Sequence, residues 1–414
     1  MNEKALYPRY RWVMAVLINL AAQFTHVVYI MVVPMLKYMA EDFNISEIKA
    51  GYASTVHIMM MGLFMFVGTL MIGWIDNKRT QLIGITVETL GVIVSFFAPS
   101  FGMLMFARAL TGMGHGISGA CTSSVVAAWF PDKEKPMLVT FDTLGYLAVT
   151  MLTYTFTLPL MHALNDSWRT TILLMGGVLV AVDLLWLFFA KDNHALNAYI
   201  RERTAREGKV VKPYSAMWEA LQRKDVWMFC LSCALFTIAS TGISTYLPQF
   251  LRTVRNFDEN TASSIIGIAS AVGIGATTLG GIFATWLGKR KLIILPCIAV
   301  CTLCLTGTLM FAAMPVIIAS YMMFTASGSF RYPANGTVPT ELKNGSPALT
   351  SSVSAMSYGL GYMGSFLASP LLMLSTGILG EERAMLVFVP LLIVSLLFAA
   401  FMPETGPGRK KAKA

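Results

Sequence analysis

Two arginines, Arg108 and Arg331, stand inside long apolar runs of a chain that otherwise keeps its positive charge in short polar stretches. An ionised guanidinium at the centre of a lipid-crossing helix costs at least about 2.5–3.5 kcal/mol, so such a residue faces a polar cavity, a partner charge or a ligand. Its planar fork of donors fits a carboxylate, nitrate-like or phosphate-like group through paired hydrogen bonds that lysine cannot copy. Recognition of an anion is the chemistry these two residues imply.

The neighbours of each arginine extend that reading. Arg108, Gly112, His115 and Gly119 recur at helical spacing, so one stripe presents two cationic or donor groups separated by glycines. The competing role for Arg108 is to tie down neighbouring helix ends. Arg331 is followed by Tyr332, Pro333, Asn335 and Gly336. Proline and glycine are expected to loosen the helix there and free backbone groups for a cavity or ligand. His26 lies mid-run beside Asn19, Gln23 and Thr25, where it could bind substrate, exchange a proton or simply be a hydrogen-bonded core residue. His57 sits near the end of its run and carries a weaker form of the same argument. Tyr246 and Gln249 suit either a cavity rim or an interfacial aromatic belt. The substrate-binding candidates are therefore Arg331, Arg108, His26, His115, Tyr332, Asn335, Gln23 and Tyr246.

Three carboxylates, Glu88, Asp142 and Asp183, also fall within apolar runs. Intramembrane carboxyls are proton-carrier candidates, and Asp142 and Glu88 are the two taken forward as candidates for proton coupling. For Asp142 the structural alternative is an ion pair with a loop lysine. Cys297, Cys301 and Cys304 share a helical face, but neither histidine nor carboxylate joins them, so no metal is expected. No cofactor is expected either.

The elements that must hold these residues are membrane helices. The chain of 414 residues is 56% hydrophobic and 13% charged, whereas soluble domains carry about 25% charged residues. Twelve apolar runs are long enough to cross a bilayer: 12–36, 51–75, 81–98, 102–129, 137–162 and 168–189, then 226–251, 261–287, 292–313, 316–338, 348–376 and 384–402. Of the 31 Lys and Arg residues, 23 fall in the termini and even-numbered connections and 6 in the odd-numbered ones, Arg169 at the mouth of the sixth run being counted with the connection before it. Both termini are accordingly expected in the cytoplasm, with membrane lipid rather than nucleic acid as the partner of the excess charge. The longest polar stretch suggests a division into a six-helix bundle over 1–190, a linker over 191–225 and a second bundle over 226–414 ending in a short basic tail. The halves echo each other: Gly73-Trp74-Ile75-Asp76-Asn77-Lys78-Arg79 follows the second run and Thr285-Trp286-Leu287-Gly288-Lys289-Arg290-Lys291 the eighth.

Arg108-Ala109-Leu110-Thr111-Gly112-Met113-Gly114-His115-Gly116 is similar to the Arg-x-x-x-Gly-x-Gly pattern of the major facilitator superfamily, which the chain resembles over essentially its whole length. The turn at Gly73 to Arg79 resembles that family's loop signature, although it is one residue short before Asp76 and has Asn77 in place of the usual arginine. Trp129-Phe130-Pro131 and Ser167-Trp168-Arg169 resemble its cyanate, nitrate and organic-anion permeases. The resemblance implies an all-α integral membrane fold with twelve transmembrane helices in two six-helix bundles related by a pseudo-two-fold axis. It places spans 1, 4, 7 and 10 around the cavity, puts the spans of Glu88 and Asp183 at the periphery, and gives Asp76 and Arg79 a gating role.

The expected function is secondary active transport of a small, organic anion by alternating access, coupled to protons or to a counter-anion. The expected setting is a monomer in the bacterial cytoplasmic membrane. Efflux of hydrophobic compounds is the alternative within transport. An integral-membrane enzyme is the alternative of another class, but neither a His-Glu-x-x-His, a Gly-x-Ser-x-Gly nor a nucleotide-binding Gly-x-x-x-x-Gly-Lys-Ser/Thr motif occurs.

Overall fold

A computed structural model of the chain describes residues 8–130, 134–193, 213–342 and 347–406, and among these there are helices and turns but no strand. The first half contains α1 (Arg11–Ile30), α2 (Leu36–Asp42), α3 (Glu47–Ala50), α4 (Tyr52–Phe96), α5 (Phe101–Trp129), α6 (Lys135–Ala163) and α7 (Trp168–Phe189). Next come α8 (Pro213–Gln222), α9 (Lys224–Thr253), α10 (Glu259–Leu287), α11 (Lys291–Met310), α12 (Met314–Thr337), α13 (Pro347–Gly364), α14 (Ala368–Leu379) and α15 (Phe388–Phe401). Nine stretches among the described residues are long and apolar enough to cross a membrane. Most of the expected linker, residues 194–212, and the end of the basic tail, 407–414, lie outside the described residues.

Three boundaries differ from the sequence expectation for identifiable reasons. The first span ends at Ile30 rather than 36, because turns occupy residues 31–35 around Pro34, which lacks an N–H and disfavours helix before it. The second and third spans are two limbs of one rod, α4, without the polar loop expected between 75 and 81. They meet at Asp76 alone, whose φ of 76° and ψ of 171° break the helix. Its Oδ1 accepts from the Arg79 N–H at 2.9 Å and so caps the second limb. The eleventh span is α13 and α14 joined by a 3-10 turn at Ser365–Leu367.

The chain forms two compact units. Unit 1 comprises residues 1–32, 56–149 and 160–212; unit 2 comprises 33–55, 150–159 and 213–414. In unit 1, Met14, Ile18, Trp129, Phe130 and Trp186 form a packed core, and the Trp186 indole donates to the Lys78 carbonyl at 2.9 Å. In unit 2, α9 is largely buried and carries Phe236 and Tyr246 inward. Large apolar side chains point outward from both units, among them Trp74, Phe188, Leu303, Ile378 and Phe401, each more than 70% exposed. Helices apolar on the outside as well as the inside are what a lipid surround requires, since hydrocarbon provides no penalty for exposed carbon.

Candidate functional site

The first cluster belongs to unit 1, and the glycines of α5 build it. A Cβ at Gly112 would lie 2.2 Å from the His57 carbonyl oxygen, one at Gly114 would lie 2.3 Å from the Glu88 nitrogen, and one at Gly116 would lie 2.4 Å from the Met61 carbonyl oxygen. Residues two apart on a helix point about 200° from each other. The alternation therefore wedges α5 between the two limbs of α4, with His57 against one side and Glu88 against the other. His115, set between Gly114 and Gly116, meets both.

The hydrogen bonds fix the tautomers. The Thr111 hydroxyl spends its one proton on the Arg108 carbonyl at 2.9 Å, so it must accept from His57 Nδ1–H at 2.8 Å. A neutral His57 then has only a lone pair at Nε2, which accepts from His115 Nδ1–H at 3.0 Å. Tyr29 stacks on His57 at 5.2 Å between centroids, and His26 packs on Tyr146 at 4.0 Å and edge-on to His115 at 6.2 Å. One oxygen of Glu88 and one nitrogen each of His57 and His115 lie within 4.8 Å of one another. Glu88 is fully buried, and neither of its carboxyl oxygens has a hydrogen-bond partner.

Arg108 is the neighbouring charge, close enough to Glu88 and both histidines for electrostatic interaction. It is wholly buried and donates to the carbonyls of Val28 at 3.2 Å and Tyr29 at 3.5 Å. Those carbonyls sit at the end of α1, where the turn at Pro34 leaves acceptors over. Arg108 thus does tie down a helix end. The His57, Glu88 and His115 atoms are spaced within reach of a metal ion. A divalent cation would nonetheless meet the fixed charge of Arg108, and the two imidazoles already use nitrogens on each other. A single proton suits the donor set better than a metal.

The second cluster belongs to unit 2 and centres on Arg331 of α12, which is 6% exposed. Its guanidinium carbon lies 3.5 Å from the centroid of the Phe236 ring, so the cation is flattened on an aromatic face. Nε and Nη1 are both buried without a hydrogen-bond partner. The groups whose charge states bear on it are Cys233, Cys301, Cys297 and Tyr358, with no carboxylate among them. Asn335, one turn on, donates to Cys233 Sγ at 3.7 Å, and Tyr358 donates to the Tyr332 hydroxyl at 3.3 Å. Pro333 does not interrupt α12 as expected. The Ser329 carbonyl that it deprives of a donor is taken by the Thr277 hydroxyl at 3.4 Å.

The remaining candidates are dispersed. The Gln23 amide donates to Asp142, to Oδ1 and to the carbonyl oxygen, both at 3.3 Å. Asp183 accepts from Thr86 at 2.7 Å. Tyr246 is 1% exposed and donates to Ser369 Oγ at 2.6 Å, Ser369 Oγ also bonds Thr55 Oγ1 at 2.8 Å, and Tyr246 lines a small cavity together with Gln249, Ile48 and Leu372. Tyr332 is 45% exposed. Asp76 and Arg79 sit together at the α4 kink, Nε to Oδ2 at 3.8 Å. Ser167 caps α7 through the Thr170 N–H at 3.2 Å, and Arg169 donates to the Ala98 carbonyl at 2.9 Å while lying over Trp168. The Ser-Trp-Arg triplet therefore has structural work of its own.

A part-buried ion pair went unforeseen. Arg290 donates to Glu341 from Nε at 3.0 Å and from Nη2 at 2.5 Å, and its backbone N–H donates to Glu404 at 2.6 Å. The basic turn containing Arg290 was visible in the sequence. Its acidic partners, far along the chain, were not.

The profile of the Major Facilitator Superfamily matches residues 17–364. "Uncharacterized transporter YycB" of Bacillus subtilis is 19% identical over 330 residues, covering 80% of this chain and 78% of that protein. "Probable galactarate/D-glucarate transporter GudP" of Escherichia coli is 22% identical over 283 residues, covering 61% of each. Among solved structures, a bacterial homolog of the human lysosomal transporter Spinster, inward-facing and unoccupied, superposes with a TM-score of 0.75 at 14% identity over 95% of this chain and 96% of that one.

Proposed function

The chain belongs to the Major Facilitator Superfamily, and we propose that it is a secondary transporter whose substrate is a small organic anion held by Arg331. The observation that carries this reading is the buried guanidinium of Arg331, stacked on Phe236 with two nitrogens lacking partners and no neutralising carboxylate among the described residues. An unpaired charge in such a place is costly unless a ligand completes it, and a carboxylate offers the matching charge and acceptors. Cys233, Asn335 and Tyr358 supply the polar surround. A relative whose name gives galactarate and D-glucarate supports sugar-acid carboxylates as the first compounds to try.

In this reading Asp76 and Arg79 act in gating, and the termini and the linker lie in the cytoplasm. The test is counterflow by purified protein in liposomes with monocarboxylates, dicarboxylates, sugar acids, inorganic anions and neutral sugars. Exchange of carboxylates, competed only by other carboxylates, is expected. Exchange confined to neutral or hydrophobic compounds would overturn the proposal.

A further inference from the structure

Glu88 presents a fully buried carboxyl whose two oxygens find no donor, on a limb of α4 that anion binding at Arg331 does not use. The groups around it come from several elements: His57 on the other limb of α4; Arg108, Thr111 and His115 on α5; His26 and Tyr29 on α1; and Tyr146 of α6 behind His26. Asp183 of α7 is engaged by Thr86, a neighbouring residue of the same limb. The hydrogen-bond chain from the Arg108 carbonyl through Thr111 and His57 to His115 runs in one direction and leaves the lone pair of His115 on Nε2. A carboxyl without donors and an imidazole nitrogen without a hydrogen thus belong to one buried cluster, beside a guanidinium.

We propose that Glu88 and the His57–His115 pair form a proton-binding site inside unit 1, loaded together with the organic anion. This rests on the transport reading above. The step is a simple protonation: a water-derived proton forms an O–H bond on Glu88 or an N–H bond on His115 Nε2, and release returns it to water. Without the proton, the Glu88 carboxylate and the Arg108 guanidinium sum to zero. With it, the cluster carries one net positive charge, which is costly in a low-dielectric interior and favours prompt release. Uptake of one proton with one singly charged anion moves no net charge across the membrane. The glycines at 112 and 114 serve this site by bringing both limbs of α4 within reach of His115.

The experiment has two arms. In the first, infrared difference spectra of purified protein without substrate are recorded across a pH step, in water and in deuterium oxide. A buried carboxyl band is expected, lost in Glu88→Gln, displaced in Glu88→Asp, and moved in frequency in His57→Gln and His115→Gln. A band unchanged in Glu88→Gln, or indifferent to both histidine variants, would overturn the site, and Glu88→Asp decides the matter should the glutamine variant fail to fold. In the second arm, an anion found by counterflow is added to weakly buffered vesicles, and its uptake should carry protons in the wild type and lose them in Glu88→Gln. Anion movement without protons would overturn the coupling. Should the wild type move no anion at all, the transport reading fails, while the first arm still decides whether Glu88 and the histidines share a proton.

Discussion

Replacing Arg331 separates a binding residue from a structural one. Nε and Nη1 lie on different edges of the guanidinium, so an anion can engage either fork. Each charge-assisted hydrogen bond contributes about 1.5–3 kcal/mol, and truncating one partner of a buried charged pair weakens binding by about 2–5 kcal/mol. Arg331→Ala should therefore raise the Kd of the transported anion about 30-fold to several-thousand-fold. Arg331→Lys keeps the charge and its aromatic support but loses the planar fork. It should fall short of the wild type by one such bond, about 10- to 150-fold in Kd. Stability should move differently, because alanine here removes an uncompensated buried charge and forfeits only the cation–π contact with Phe236, about 0.5–2 kcal/mol. Titration calorimetry in detergent gives Kd, and thermal unfolding of the same samples gives stability. Normal binding and transport by a folded Arg331→Ala protein would refute the anion site. Unfolding of that variant with no loss of affinity in Arg331→Lys would make the residue structural instead.

Three further outcomes test the frame around the sites. Gly112→Ala and Gly114→Ala should each destabilise by about 1–3 kcal/mol through overpacking against α4. Gly177→Ala, where nothing lies within 4 Å of the added carbon, should instead stabilise by about 0.5–1 kcal/mol; equal melting shifts would contradict the wedge. Arg290→Ala should cost about 1–3 kcal/mol by leaving the part-buried Glu341 without its guanidinium, and replacing both residues by methionine should recover most of it. Failure of the double replacement to recover would mean that Arg290 acts elsewhere. Asp76→Asn retains a side chain that caps a helix and tolerates positive φ, so stability should stay within about 0.5 kcal/mol. A fall in turnover with unchanged Kd would then mark the carboxylate charge as part of the gate, and unchanged turnover would reduce it to a cap.

The helices were legible because a lipid-crossing segment announces itself by length and composition alone, and the two arginines stood out against that background for the same reason. The boundaries that moved were set by single residues: Pro34 cut α1 short, and the left-handed backbone of Asp76 replaced an expected loop with a kink. What composition could not show was which polar residues meet. His57 drew little weight from its place near the end of a run, yet the spacing of Gly112, Gly114 and Gly116 places it against His115 and within reach of Glu88. The motif that signals the family is, in this chain, the device that assembles the cluster. Nor could composition show that the Ser369 hydroxyl, 123 residues away in sequence, would take the Tyr246 phenol and fix it beside Gln249 at a small cavity. A helical stripe gives the face a residue occupies, and only the opposing helix decides whether that face meets a ligand, a partner side chain or a capped backbone. Arg108 and Arg331 illustrate the difference, since both are buried guanidiniums in apolar runs. Arg108 spends donors on carbonyls left over at the end of α1, whereas Arg331 keeps two buried nitrogens without partners among the described residues, so the same residue type fastens a helix in one unit and, in the proposed reading, awaits an anion in the other.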